Sequence, residues 1–329
     1  MNTAVRQRIA RRALHGVLLL DKPLRLSSND ALQKAKWLLR AEKAGHTGTL
    51  DPLATGLLPL CFGAATKFSQ VSLDADKAYR ATLRLGQRTN TGDREGELIE
   101  TRPVAVDRAA IEAACAQFSG PISQLPPMHS ALKKDGRPLY EYARAGIEVE
   151  RPRREVTIHG IDIVAWDDTP EAPSLVLDVR CSKGTYIRTL AEDIGEALGC
   201  GAHLCALRRT HSGPLSVANA ITLEQIEALP ENERQDLLLP PDVLLADWPR
   251  ISLDSLEAAR FLTGLRRRVM HADAAAIRVY GPNENDLLGT AHITAGELIA
   301  DRLLSPVEVQ ALSAANAPSA RPALQHEAA

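Results

Sequence analysis

Aromatic residues are few. Four Phe, five Tyr and three Trp make up only 4% of the 329 residues, so a buried core has to be assembled from Leu, Val, Ile and Ala. Long apolar runs are missing too, and none approaches the ~20 residues that a membrane-crossing helix needs. The basic opening stretch MNTAVRQRIARRALHG has no extended apolar segment and no small-residue cleavage site ahead of the first apolar run. It does not read as a signal peptide, and a cytoplasmic protein with no membrane partner is expected. Charge of one sign is not in excess, since 39 Lys and Arg against 41 Asp and Glu leave a net charge of −2. Cysteines number five, an odd count at scattered positions, which fits reduced thiols in a reducing compartment. Cys200, His203 and Cys205 crowd together but lack the paired C-x-x-C spacing of structural zinc sites. They are read as small residues beside a strand, and no metal is expected.

Familiar loop signatures are absent as well. There is no G-x-x-x-x-G-K-[ST], no G-x-G-x-x-G behind the first strand, no G-x-S-x-G and no H-x-E…P-C-x-x-C. This sets aside a P-loop, a dinucleotide site, the nucleophile elbow of α/β-hydrolases and zinc-dependent base deamination.

What is present is unevenly spread. Residues 1–45 hold ten Lys or Arg against three acids, a local +7, whereas residues 221–260 hold nine acids against three Arg, a local −6. A local basic face attracts a polyanion whatever the total charge. The alternative, for any charge run, is a solvated surface. Gly16–Leu20 reads as a buried strand closed by Asp21-Lys22-Pro23, and Ser27 or Ser28 offers an N-cap to a helix with Leu32, Ala35, Leu38 and Leu39 on one face. Residues 45–56, GHTGTLDPLATG, carry three glycines and a proline and are expected to be a loop. Lys77–Gly86 alternates as a strand, residues 107–118 read as a helix, and strands follow near 155–166 and 174–181. A helix from about Thr185 to Leu198 ends at Gly199, and a short strand near Leu204–Leu207 precedes Arg208-Arg209. Residues 222–246 read as helical and acidic, and Trp248-Pro249 marks a boundary. A small domain over 250–305 is expected to hold a helix near 253–264 and strands near 276–280 and 287–293. Strands and helices without regular alternation favour α+β over a doubly wound sheet.

In GHTGTLDPLATG, Asp51 stands between Leu50 and Pro52 and ahead of Leu53. A carboxylate among apolar neighbours is poorly hydrated and is either paired with a cation or tuned for chemistry. The plainer reading is an Asp that hydrogen-bonds its own turn.

Six blocks then carry a resemblance: GVLLLDKP (16–23), GHTGTLDPLATGLLP (45–59), KAYRATLRLG (77–86), PPMHSALKKDGRPLYEYARAG (126–146), CSKGTYIRTLAEDIGEALG (181–199) and AHLCALRRTHSG (202–213). Together and in this order they resemble the TruB family, bacterial synthases of pseudouridine 55 in tRNA. The resemblance implies the pseudouridine-synthase fold, a mixed, largely antiparallel sheet flanked by helices with a cleft across its middle. It implies a catalytic domain over 1–248 and a small PUA-type RNA-binding domain over 249–311; residues 312–329, rich in Ala and Pro with few large apolar residues, are expected from composition to be a disordered tail. The implied reaction breaks the N1–C1′ bond of a uridine flipped out of the T-loop, turns the uracil and joins C5 to C1′. As an isomerisation it needs no cofactor. The implied partner is the tRNA T-stem-loop, met by a monomer.

The resemblance also assigns residues. Asp51 matches the family nucleophile and Arg188 the arginine that pairs with it; the plainer alternative for Arg188 is an ion pair with Glu192 one helical turn on. Tyr79 matches the aromatic that stacks on the target base, with a hydroxyl placed to assist removal of the C5 proton. Tyr186 and Leu207 match positions that contact the uracil, and His46 an RNA contact beside the loop. Lys22, in DKP, is read as a supporting residue. Lys133, Lys134 and Arg137 would serve phosphates. His129 departs from the family pattern, where a tyrosine is common. A non-catalytic tRNA-binding or RNA-folding protein remains the alternative, and it would have no need of Asp51.

Overall fold

The structure, a computed structural model, describes residues 10–315. The chain opens with β1 (Gly16–Lys22), α1 (Ser28–Leu38), β2 (Ala44–His46) and β3 (Ala54–Phe62). After α2 (Ser69–Asp74) come β4 (Lys77–Leu85), the paired short strands β5 (Gln87–Thr89) and β6 (Leu98–Thr101), α3 (Arg108–Gln117) and β7 (Gly120–Gln124). A small hairpin of β8 (Lys133–Lys134) and β9 (Arg137–Pro138) leads into α4 (Leu139–Arg144). The body then closes with β10 (Arg154–Asp167), β11 (Ser174–Cys181), α5 (Ile187–Ala197), β12 (Ala202–Ser212), β13 (Leu215–Ser216) and α6 (Leu223–Ala228).

Nine strands form the main sheet in the order β1-β3-β12-β4-β11-β10-β7, with β2 paired to β3 and β13 to β12. Every pairing is antiparallel except that of β12 with β3, which runs parallel over three residues, Leu207–Arg209 against Ala54–Gly56. This short parallel seam lies two strands in from the β1 edge, and the chain that precedes β3 emerges there. Gly56 makes the seam possible. Its φ is +97°, and a Cβ on it would lie 2.3 Å from the Arg209 carbonyl oxygen.

Layers of helix cover the sheet. Ala31, Leu32, Ala35 and Leu38 of α1 pack with Leu18, Leu20, Leu58 and Leu60, while α3 and α5 give Ile111, Leu190 and Ile194 to Leu83, Leu175, Leu177 and Val179. Tyr79 and Leu207 touch both clusters, at the join between them. Ser27 caps α1 by accepting from the Asp30 N–H at 3.1 Å, and α5 lies against the start of β12, where a Cβ on Gly195 would come within 2.2 Å of the Ala202 nitrogen.

A second sheet follows: β14 (Arg250–Ser252), α7 (Ser255–Phe261), β15 (Arg267–Arg268), β16 (Ala274–Tyr280), β17 (Leu287–Thr294), β18 (Glu297–Leu303) and α8 (Pro306–Ala315). Its order is β14-β16-β17-β18-β15. It has its own core around Phe261, Ile277, Val279 and Leu298. It is also welded to the body: Tyr280, Leu287, Leu304 and Leu312 join one cluster with Leu19, Leu57, Phe68 and Leu245. The Tyr280 hydroxyl donates to Asp242 at 2.6 Å, and Lys67 donates to the Leu303 carbonyl at 3.0 Å and pairs with Glu308 at 2.6 Å.

Several local expectations change. Gly45 and His46 lie in β2 and residues 54–56 in β3, so the loop proper is 47–53. The strand expected to stop at Leu207 runs on to Ser212, because bulges at Leu204/Ala206 and Arg209/His211 let it follow β4 along nearly its whole length. Residues 222–246 hold one six-residue helix, α6, and then short 3₁₀ turns, since Pro230, Pro240 and Pro241 interrupt anything longer. The expected tail begins inside α8, whose Leu312 is buried at 3% exposure; the remainder, 316–329, lies outside the described residues. Among the described residues no helix is long and apolar enough to cross a membrane.

Candidate active site

The loop at 47–53 is held from three sides. Ser28, in the first turn of α1, bonds both polar groups of Leu50: its hydroxyl accepts from the Leu50 N–H at 2.7 Å and donates to the Leu50 carbonyl at 3.1 Å. The Arg25 N–H donates to the Pro52 carbonyl at 2.8 Å, and the Ala54 N–H to the Asp51 carbonyl at 3.0 Å. Leu50 and Leu53 are buried at 4% and 3%, whereas the Asp51 side chain is 44% exposed. The two leucines anchor the turn in the core, and the anchoring turns the acid outward into the cleft.

There it meets Arg188. Arg188 stands one residue into α5, after Tyr186, whose backbone is fixed by Gln124: the Tyr186 N–H donates to Oε1 at 2.9 Å and Nε2 donates to the Tyr186 carbonyl at 3.2 Å. Arg188 Nη2 lies 2.9 Å from Asp51 Oδ2 and donates to the His129 carbonyl at 2.6 Å. Its Nη1 lies 3.5 Å from Asp93 Oδ2 and donates to the Thr91 carbonyl at 3.3 Å. The guanidinium, only 6% exposed, therefore ties together the loop, α5, the 90–96 turn and the 126–132 segment. Glu192, the alternative partner, forms no ion pair with Arg188, and its carboxyl is pushed up by burial. Asp93 was not singled out from sequence. Its only local mark is the turn-rich TGDREG, and what makes it matter is a contact across 95 residues of chain that spacing does not reveal.

Asp51, Tyr79, Tyr186, Arg188 and Leu207 line one cavity of about 430 Å³, together with Lys77, Ser130, Leu132, Ser182 and Arg209. That is the size range of small-ligand pockets. Burial pushes the Tyr79 hydroxyl up, with Arg209 acting against it, and burial likewise pushes up Tyr186. The Leu207 carbonyl is reached by the Thr55 hydroxyl at 3.4 Å. Arg209 was missed because the strand was expected to end before it. Strand alternation sends Arg208 to Asp21, in a two-pronged pair at 2.6 and 2.9 Å, and Arg209 inward.

The other expected residues fall elsewhere. Lys22 is fully buried, and its Nζ donates to the carbonyls of Pro23 at 3.0 Å and Leu26 at 2.6 Å. Burial lowers its pKa to about 8, against the opposing pull of Asp51. His46 is outside the cavity lining; burial and Arg209 lower its pKa, and its Nδ1 is buried without a partner. Lys133 and Lys134 line a neighbouring basic groove with Arg151 and Arg154, which shares Leu132 with the first cavity. Lys134 donates to the Glu150 carbonyl at 3.0 Å. Arg137 pairs with Glu141 at 2.9 Å and stacks over Tyr142. Cys200, His203 and Cys205 do not converge on a common point: among the described residues no group of three His, Cys, Asp or Glu is arranged to hold a metal ion.

A carboxylate steadied by a guanidinium, in a cavity that an aromatic ring also lines, suits covalent or acid–base work on a flat polar substrate. The molecule has the pseudouridine-synthase fold, an α+β arrangement on a mixed, largely antiparallel sheet with a further C-terminal sheet. Two solved structures bear on the fold alone. A Cbf5-Nop10-Gar1 complex matches with a TM-score of 0.68 at 24% identity, over 90% of this chain and 87% of that one. An H/ACA RNP bound to a substrate RNA containing 2′-deoxyuridine matches with a TM-score of 0.66 at 22% identity, over 90% and 86%. Residues 36–187 match the TruB family pseudouridylate synthase N-terminal domain, and residues 188–246 the tRNA pseudouridylate synthase B C-terminal domain. A tRNA pseudouridine synthase B of Verminephrobacter eiseniae is 59% identical over 312 residues, 94% of each chain, and one of Cupriavidus pinatubonensis is 60% identical over 304 residues, 90% of this chain and 96% of that one. The chain belongs to the TruB family.

Proposed function

We propose that this chain is a tRNA pseudouridine synthase that isomerises uridine 55 of the T-loop, with Asp51 as the nucleophile. The observation that carries the reading is the Asp51–Arg188 pair, 2.9 Å apart in the wall of a cavity that Tyr79 also lines. The name shared by relatives at 56–60% identity supports it independently. The target base must leave its stack, at a cost of a few kcal/mol. The Tyr79 ring supplies the replacement stack, and Tyr186 and Leu207 flank the base. Arg188 aims the Asp51 carboxylate, which forms the covalent adduct that divides the reaction. The N1–C1′ bond breaks, the ring turns, C5 joins C1′ in place of N1, and the bond to Asp51 is released. His46 serves as an RNA contact beside the loop, and Lys22 supports the site. Lys133, Lys134 and Arg137 face the phosphates of the T-stem-loop, with Lys133 and Lys134 in the basic groove beside the cavity. The domain over 249–311 serves as the PUA-type RNA-binding module, and the enzyme works in the cytoplasm, where tRNA is.

The test is incubation with an unmodified tRNA transcript followed by chemical mapping of pseudouridine. Wild type should modify position 55. Asp51→Asn, which keeps the size of the side chain, should bind the transcript and make no pseudouridine; product from that variant would refute the assignment of the nucleophile.

A further inference from the structure

Arg209 is the least accounted-for charge in the molecule. It is 1% exposed and lines the same cavity as Asp51. Among the described residues no carboxylate pairs with it; burial lowers its pKa, and the neighbouring Tyr79 opposes that lowering. Burying an unpaired cation is costly, and an apolar side chain of similar volume would fill the space more cheaply. The side chain is nonetheless pinned. Nε donates to the Leu57 carbonyl of β3 at 2.6 Å, and on β12 Arg209 sits directly opposite Tyr79 of β4 in the strand register. Nη1 lies against Gly48 of the Asp51 loop, 3.4 Å from where a Cβ would stand, and Nη2 has no partner.

We propose that Arg209 is a positioning residue acting through Tyr79: its guanidinium fixes the Tyr79 oxygen beside the target base and steadies the negative charge that oxygen bears when it takes the proton leaving C5. This rests on the isomerase reading above. Once C5 is joined to C1′, the C5–H bond breaks. Its electron pair closes the C5=C6 double bond and the N1=C6 pair moves onto N1; N1 takes the Tyr79 hydroxyl proton, and the proton from C5 replaces it on the Tyr79 oxygen. Nothing is oxidised or reduced. Asp51 cannot supply the counter-charge to Arg209, because Arg188 already holds it.

The experiment uses the full chain and a T-stem-loop RNA with either protium or deuterium at C5 of the target uridine, under single turnover. Arg209→Gln should slow product formation by about a hundredfold, the scale of a lost proton-transfer contribution. It should also show a larger deuterium effect than wild type, which a loss of packing would not produce. Arg209→Lys, which keeps the charge, should fall between the two. Added to Tyr79→Phe, Arg209→Gln should slow the reaction little further, because both act at one oxygen. Should Arg209→Gln fail to fold in a denaturation series, the same cycle is run with Arg209→Lys. A wild-type rate, or slowing that is equal for both isotopes and multiplies with Tyr79→Phe, would overturn the inference. A wild-type chain that makes no pseudouridine would instead overturn the function and this inference with it.

Discussion

Replacing Asp93 by Asn removes one charge from the network and little else. Asn has nearly the same shape, and its Oδ1 can still accept from the Thr91 hydroxyl and the Glu95 N–H, which Asp93 Oδ1 now does at 2.7 and 3.0 Å. What goes is the attraction to Arg188 across 3.5 Å, worth about 5 kcal/mol at an effective dielectric of ~20 and about 1 kcal/mol in water. Both side chains are nearly inaccessible, at 6% and 7%, so the first figure is nearer the truth. The guanidinium keeps Asp51 and the two carbonyls of Thr91 and His129, which offset part of the loss. We expect a stability loss of about 2–3 kcal/mol, below the 3–5 kcal/mol typical of stripping a buried charge of its partner. With one anchor gone, Arg188 aims Asp51 less narrowly, and the single-turnover rate should fall ~10- to 100-fold, each tenfold being about 1.4 kcal/mol in the barrier. A urea melt and a pseudouridine time course on the T-stem-loop measure the two effects. Glu192→Gln, one helical turn from Arg188 but outside its ion pairs, is the control and should leave the rate within about twofold of wild type, about 0.4 kcal/mol in the barrier. If Asp93→Asn matched that control in both rate and melt, the idea that Asp93 holds Arg188 would be wrong.

Other expectations follow from the same geometry. Gly56→Ala should destabilise the protein by at least ~2 kcal/mol, because the Cβ meets the Arg209 carbonyl at 2.3 Å on a left-handed backbone; an unchanged thermal midpoint would contradict the tight seam. Lys22 and Lys77 are both lowered by burial to about 8, so between that value and the ordinary 10.5 the unfolded chain binds more protons than the folded one. Stability should therefore rise with pH from about 8 to 10, by at most about 1.4 kcal/mol per pH unit for each lysine, and Lys22→Met should flatten that rise in pH-stepped urea melts. Replacing Lys133 and Lys134 by Ala should weaken RNA binding and reduce the slope of log affinity against log salt by about 1 for each phosphate left without its cation; an unaltered slope would place the RNA elsewhere.

Sequence reading reached the parts of the site that rest on local composition. The glycines and proline around Asp51, the Ser27 cap and the glycine stop after α5 are all short-range signals, and the structure keeps them. It missed what depends on register. Arg208-Arg209 resembled the polar end of a strand, yet bulges carry β12 onward and alternation sends one arginine to solvent-side Asp21 and the other into the cavity. Asp93 escaped for a related reason, because only the folded chain brings its turn to Arg188. In the C-terminal sheet, β14 and β15 are three and two residues long, too short for any periodicity to show, and the apolar residues of β18 do not alternate with its polar ones.

The junction between the two sheets has a consequence for how an RNA could be gripped. Tyr280, Leu287 and Leu304 sit in one apolar cluster with residues of β1 and β3, the strand into which the Asp51 turn runs. The C-terminal unit is thus set on the body like the fixed jaw of a caliper. A polynucleotide that touches both must already have the right span between its target nucleotide and its distal contact, since no slack linker is there to take up the difference. Length and curvature of the bound RNA would then be measured before any base is tested in the cleft.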